Sequence, residues 1–235
     1  MIVTRSDDDT VLTTEDVLLS LCNSVTTVLS AASQSAVRFS GMVQRISKTC
    51  LKPDIGCFVL FDGGFSGLVV INFSASAAME LYESYMLSMG LSKDDLAISH
   101  TSDEVSNVMG ELMNQIVGSF TFKVGRDFQT HITQNQPKML ALNKQVMLSV
   151  DTNLDKPESR RVTFFTAHNN IFYLELAMDR TEFIRIHNEG NHSTEEFDPD
   201  ALIVIAQAKQ SEDAAASKVA TPPSASDDLL DSLGI

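Results

Sequence analysis

The sequence predicts an α+β fold: an antiparallel-rich sheet with helices packed on it, followed by an acidic, disordered C-terminal tail. Three observations carry this. Three segments place apolar residues at helical spacing. Two pairs of strand-like apolar runs flank turn residues, Asp62-Gly63-Gly64 in one pair and Ala167-His168-Asn169-Asn170 in the other. Composition then shifts near Lys209, beyond which Ala, Ser, Asp and Pro dominate. The chain therefore divides into a flexible N-terminus (1–12), a folded domain (13–208), a disordered linker (209–224) and a C-terminal peptide (225–235).

The elements follow in order. Residues to about Leu12 read as a frayed start. Thr13 or Thr14 can cap a first helix whose opening turn holds Glu15 and Asp16. Val17, Leu18, Leu21, Val25, Val28 and Leu29 carry that helix to about Ala32. Strand signals come next: a mixed Val37–Ile46, then Gly56–Asp62 and Phe65–Phe73. Ser74 or Ser76 caps a second helix, about Ala75–Met89, which Gly90 ends. A long third helix spans about Ser102–Phe122, with Thr101 and Glu104 at capping-box spacing. Further strands are expected at Thr130–Thr133, Gln145–Thr152, Arg161–Thr166 and Ile171–Ala177. Asp198-Pro199 suits the start of a short helix to about Lys209, although Ala201–Ile205 also reads as a strand.

Composition narrows the function. There are 17 Lys+Arg against 31 Asp+Glu, a formal net charge of −14. No basic patch is available for a phosphate backbone, so nucleic acid is not an expected partner; a basic protein surface is. Cys22, Cys50 and Cys57 are odd in number and lack C-x-x-C spacing, which argues against disulfides and zinc and for a reducing cytoplasm. The N-terminus, with Asp7, Asp8 and Asp9, lacks the apolar stretch of a signal peptide. No run approaches about 18 apolar residues, so no membrane partner is expected.

The third helix has an unusual face. On a wheel of about 100° per residue, Val105, Val108, Met109, Leu112, Ile116 and Phe120 form one side. Asn107, Glu111, Asn114 and Gly118 form the other. Glu111 and Asn114 are three apart, hence neighbours on the surface. Spacing alone reads as an ordinary solvated face and names no chemistry.

The stretch from Asn107 through Glu111 and Asn114 to Gly118 resembles the active helix of the CheC/CheX/FliY phosphatases, which dephosphorylate the chemotaxis response regulator CheY. Their pattern is Asp or Ser, three residues, Glu, two residues, Asn, then twenty-two residues and Pro. Glu111 and Asn114 match, and Pro137 falls at the family's distance; Asn107 departs from the preferred Asp or Ser. The resemblance covers about Thr14–Ala177 and implies a CheX-like layout. That family is internally repeated, and Asp16, Ser20 and Asn23 sit at matching spacing in the first half. Ser20 replaces the Glu there and no proline follows at the right distance, so one complete site is expected rather than two.

What the resemblance implies is a catalytic pair, Glu111 and Asn114, supported by Asn107 and Pro137. Asn114 would orient the water that attacks the aspartyl phosphate of a phosphorylated CheY-like receiver, and Glu111 would pair with the receiver's lysine. No metal or other cofactor is expected on this chain; Mg²⁺ would belong to the receiver. Dimerisation through sheet edges, known in CheX, leaves room for a homodimer. The FliM middle domain shares this fold without the activity, so a non-catalytic scaffold is the alternative.

Asp227, Asp228, Leu229, Leu230, Asp231 and Leu233 form a short amphipathic stretch after the cap candidate Ser226. It is too short to be stable alone and suits folding on a partner's groove, though composition alone also fits a frayed terminus. The run Asp227–Ile235 closely resembles the C-terminal peptide by which CheZ, an unrelated phosphatase, tethers CheY. The linker would then raise the partner's effective concentration. His187 and His192 make a weak metal pair without a third ligand, and His131 and His168 read as surface or structural residues.

Overall fold

The computed structural model describes residues 11–142, 146–150 and 152–184. Among these residues, three α-helices, α1 (Thr14–Ser33), α2 (Ala75–Ser88) and α3 (Asp103–Asp127), pack on each other and on one face of a seven-stranded sheet. Among the described residues the strands are β1 (Val11–Thr13), β2 (Arg38–Ile46), β3 (Thr49–Leu51), β4 (Ile55–Gly63), β5 (Gly67–Phe73), β6 (Ile132–Gln134), β7 (Lys138–Ala141), β8 (Leu148–Val150), β9 (Pro157–Phe165), β10 (Ile171–Asp179) and β11 (Glu182–Ile184). The large sheet runs β2-β9-β10-β5-β4-β6, with β7 beside β6 on the same edge of β4. Every pairing is antiparallel.

The strand order contains a repeat. Each hairpin, β4–β5 and β9–β10, supplies the middle of the sheet. Each long helix, α1 or α3, is followed by an edge strand that pairs with the hairpin of the other half: β2 with β9, and β6 and β7 with β4. The expected internal repeat is thus visible in the topology.

Period-two alternation explains the two faces of the sheet. Val69, Ile71 and Phe73 of β5 and Phe172, Leu174 and Leu176 of β10 point into the helix-covered core. Leu68, Val70 and Ala177 point the other way, where Leu51 of the small β3–β8 ribbon covers them. β5 is therefore buried along its whole length. Glu175 is fully buried beneath the ribbon. Its carboxylate accepts from Arg161 Nε at 2.8 Å and from the Cys50 backbone N–H at 3.0 Å. Lys52 stands 3.8 Å away. Such pairing is what allows a carboxylate to be buried at all. Asn72 bonds the N–H of Lys52 and the carbonyl of Cys50, tying the ribbon to β5.

Several expectations are corrected. Val11 and Leu12, expected in a frayed start, form β1 against β11, a remote pairing with no local signal. The third helix is capped by Ser102, which accepts from the Val105 N–H at 3.2 Å, rather than by Thr101. It continues to Asp127 because Val124 extends the buried stripe one turn past Phe120. Lys138–Ala141, not among the expected strands, is a strand, and β9 starts four residues before its expected position. The turn glycines near Asp62 meet a constraint beyond the hairpin. A Cβ on Gly63, at φ 150°, would stand 2.0 Å from the His131 carbonyl, so glycine lets β6 approach. The helix or strand expected over 198–209 and the tail peptide lie outside the described residues, as do His187 and His192. α1 is long and apolar enough to cross a membrane by composition. In this fold its apolar residues Val17, Leu21, Val25 and Leu29 are fully buried in the core.

Candidate functional site

α3 is held from both sides. Val105, Met109, Leu112, Ile116 and Phe120 are buried against α1, α2 and the sheet. The opposite side faces out: Asn107, Glu111 and Asn114 are exposed and Gly118 is partly so. Phe122, 68% exposed, prolongs this face one turn further. β6 and β7 flank it. At Gly110 a Cβ would touch Met139 of β7 at 3.5 Å, and at Gly118 it would touch the Gln134 side-chain amide at 4.0 Å. Small residues on this face let the sheet edge lie beside the helix.

The pair singled out by sequence is together. Glu111 and Asn114 share the exposed stripe, and each is held by a glutamine. Gln115 Nε2 donates to Glu111 Oε1 at 3.0 Å, an i,i+4 bond along the helix. Gln134 Nε2, from β6, donates to Asn114 Oδ1 at 3.0 Å. Pro137 lies between β6 and β7 and lines an open cleft with Asn107, Gly110, Phe58, Met139 and Leu140. Asn107 thus joins Pro137 in the cleft. Among the described residues it makes no hydrogen bond to Glu111, whose support comes from Gln115 instead.

Gln115 was legible in principle, four residues after Glu111. Gln134 was not, because it arrives from a three-residue strand placed by pairing with β4, Phe61 opposite Gln134. Among the described residues, no group of three His, Cys, Asp or Glu side chains is arranged to hold a metal. His168 instead lies 2.9 Å from Glu80 in a cluster that secures the β9–β10 turn.

This is the fold of the CheC/CheX-type chemotaxis proteins. A chemotaxis protein CheX from Desulfovibrio desulfuricans superposes with a TM-score of 0.57 at 16% identity, covering 70% of this chain and 99% of the other. A CheC-like superfamily protein from Shewanella sp. PV-4 gives 0.57 at 16%, covering 70% and 97%. The CheX of a CheX–CheY–BeF3–Mg²⁺ complex from Borrelia burgdorferi gives 0.53 at 15%, covering 70% and 98%. The chain itself belongs to the family described as a protein of unknown function, DUF3334, whose pattern matches residues 8–235. No curated protein matches the sequence.

Proposed function

We propose that the protein is a phosphatase for the aspartyl phosphate of a CheY-like receiver domain. What supports this is that Glu111 and Asn114 share the exposed stripe of α3, at the spacing of the CheC/CheX motif they resemble, in a chain with that fold. A relative of this fold that is described in complex with CheY, BeF3 and Mg²⁺ supports the choice of partner.

The chemistry asks little of the chain beyond positioning. Phosphoryl transfer is dominated by alignment and charge stabilisation. A water oxygen attacks phosphorus in line, and the P–O bond to the aspartate breaks. The aspartate carboxylate leaves with the electron pair, and the proton released by the water ends on inorganic phosphate. Asn114 neither gives nor takes a proton; its amide orients the water. Glu111, an exposed carboxylate one turn away, sets the docking register against a cation of the receiver. Mg²⁺ is assigned to the receiver. The tail, Asp227–Leu233, is assigned the role of tether, on its sequence alone.

The decisive experiment follows the decay of phosphorylated receiver with and without the full chain. Acceleration is expected and should fall by about 100-fold in Asn114→Ala, the scale set by losing one preorganised polar group. Glu111→Ala should act mainly through KM. Deleting 225–235 should raise KM by about 10-fold or more while leaving kcat within twofold. Binding without acceleration would replace the enzyme by a scaffold of the same fold.

A further inference from the structure

Gln134 is chemically out of place unless it serves Asn114. It lies on β6, whose pairing with β4 fixes it on a sheet edge rather than a loop. One end of its amide donates to Asn114 Oδ1 at 3.0 Å. The other end, Oε1, is buried and has no hydrogen-bond partner among the described residues. A buried acceptor without a donor weakens a fold, and an apolar side chain of similar length would fill the same space without that loss. Gly118 keeps the space open, since a Cβ there would already touch the Gln134 amide at 4.0 Å.

The geometry points to Gln134 as the positioning residue for Asn114, an inference that rests on the phosphatase reading above. An exposed asparagine turns freely about its side-chain bonds. The bond from Gln134 fixes the plane of the Asn114 amide. An amide oxygen has two lone pairs, so one acceptor site on Oδ1 and both N–H donors of Nδ2 are left for the attacking water and the phosphoryl oxygens. The amide is thus set before the partner arrives, which is where positioning catalysis gains its rate. Gln134 touches neither water nor phosphate in this role and acts through Asn114.

The test compares the full chain with Gln134→Met, which keeps the unbranched length and removes the amide; Gln134→Leu serves as a second apolar variant. Melting temperature and receiver dephosphorylation are both measured. The expected result is a Tm equal to or above wild type, kcat lower by about 5–10-fold and KM within twofold. Wild-type kcat in either stably folded variant would overturn the assignment. So would a fall in kcat matched by a fall in Tm in both variants, which would mark Gln134 as a structural residue. If the wild-type chain itself fails to accelerate decay, the phosphatase reading fails first and the assignment with it, a result distinct from a wild-type-like variant.

Discussion

α1 and α3 are counterparts, and they differ only where the fold does not need them alike. Each is a long helix followed by an edge strand that crosses to the other half's hairpin. Each buries an apolar stripe: Val17, Leu21, Val25 and Leu29 in one, Val105, Leu112, Ile116 and Phe120 in the other. The outer faces have parted. On α1 the Asp16 carboxylate accepts from the Thr13 N–H at 2.7 Å and its hydroxyl at 2.9 Å, so it is spent on the helix start. Ser20 is half-buried and offers no charge, and Asn23 is exposed. On α3 a carboxylate and an amide project outward, and a strand reaches across to hold the amide. Burial selects the inner stripe of both helices. It selects nothing on the outer stripe, so the residues there answer to other demands than packing.

That comparison can be tested at three levels, from the largest effect down. If the inner stripes are equivalent, Leu21→Ala and Ile116→Ala should each cost about 2–5 kcal/mol in chemical denaturation. A cost under about 1 kcal/mol at one of them would mean the halves are not packed alike. If the outer stripes are not equivalent, Asn23→Ala should leave receiver dephosphorylation within twofold of wild type, against the loss of about 100-fold (~2.7 kcal/mol) proposed for Asn114→Ala. A comparable loss at Asn23 would mean two working sites.

The smallest effect concerns the two hairpin turns. At the β4–β5 turn Asp62 bonds its own neighbour Ser66, whereas the β9–β10 turn is bound to α2 through Glu80. Burial works against ionisation of Glu80, but bonds from Thr166, Asn170 and the His168 N–H together outweigh it and hold its carboxyl below the ordinary value of 4.5. A lowered carboxyl pKa stabilises the fold above the unfolded value and loses that contribution as pH falls through the folded one. Glu80→Gln should therefore flatten the fall of Tm below about pH 4.5. An unchanged slope would show that the clamp contributes nothing.

Local patterns were legible and remote ones were not. α1, α2, the hairpin strands and the polar stripe of α3 all follow from periodicities of 3.6 and 2 within a short window. Periodicity placed Glu111 and Asn114 on that stripe, and only their resemblance to a family motif singled them out from its other residues. β1, β3, β7 and β11 are strands of three or four residues made by partners far away in sequence, so nothing local marks them. Gln134 belongs with these. Its bond to Asn114 arises from the register of β6 on β4, which no spacing along the chain encodes.

The crossing of the edge strands also governs how this chain must fold. β2 pairs with a strand more than a hundred positions later, and β6 and β7 return to a strand made roughly seventy and eighty positions earlier. Neither half can complete its own sheet. A chain emerging from the ribosome holds β4 with a bare edge until residues beyond 130 have been made. Such high contact order favours slow, all-or-none assembly and exposes strand edges to wrong partners on the way. Two fragments divided near residue 100 would each be an unfinished sheet, and the natural complement of each is the other.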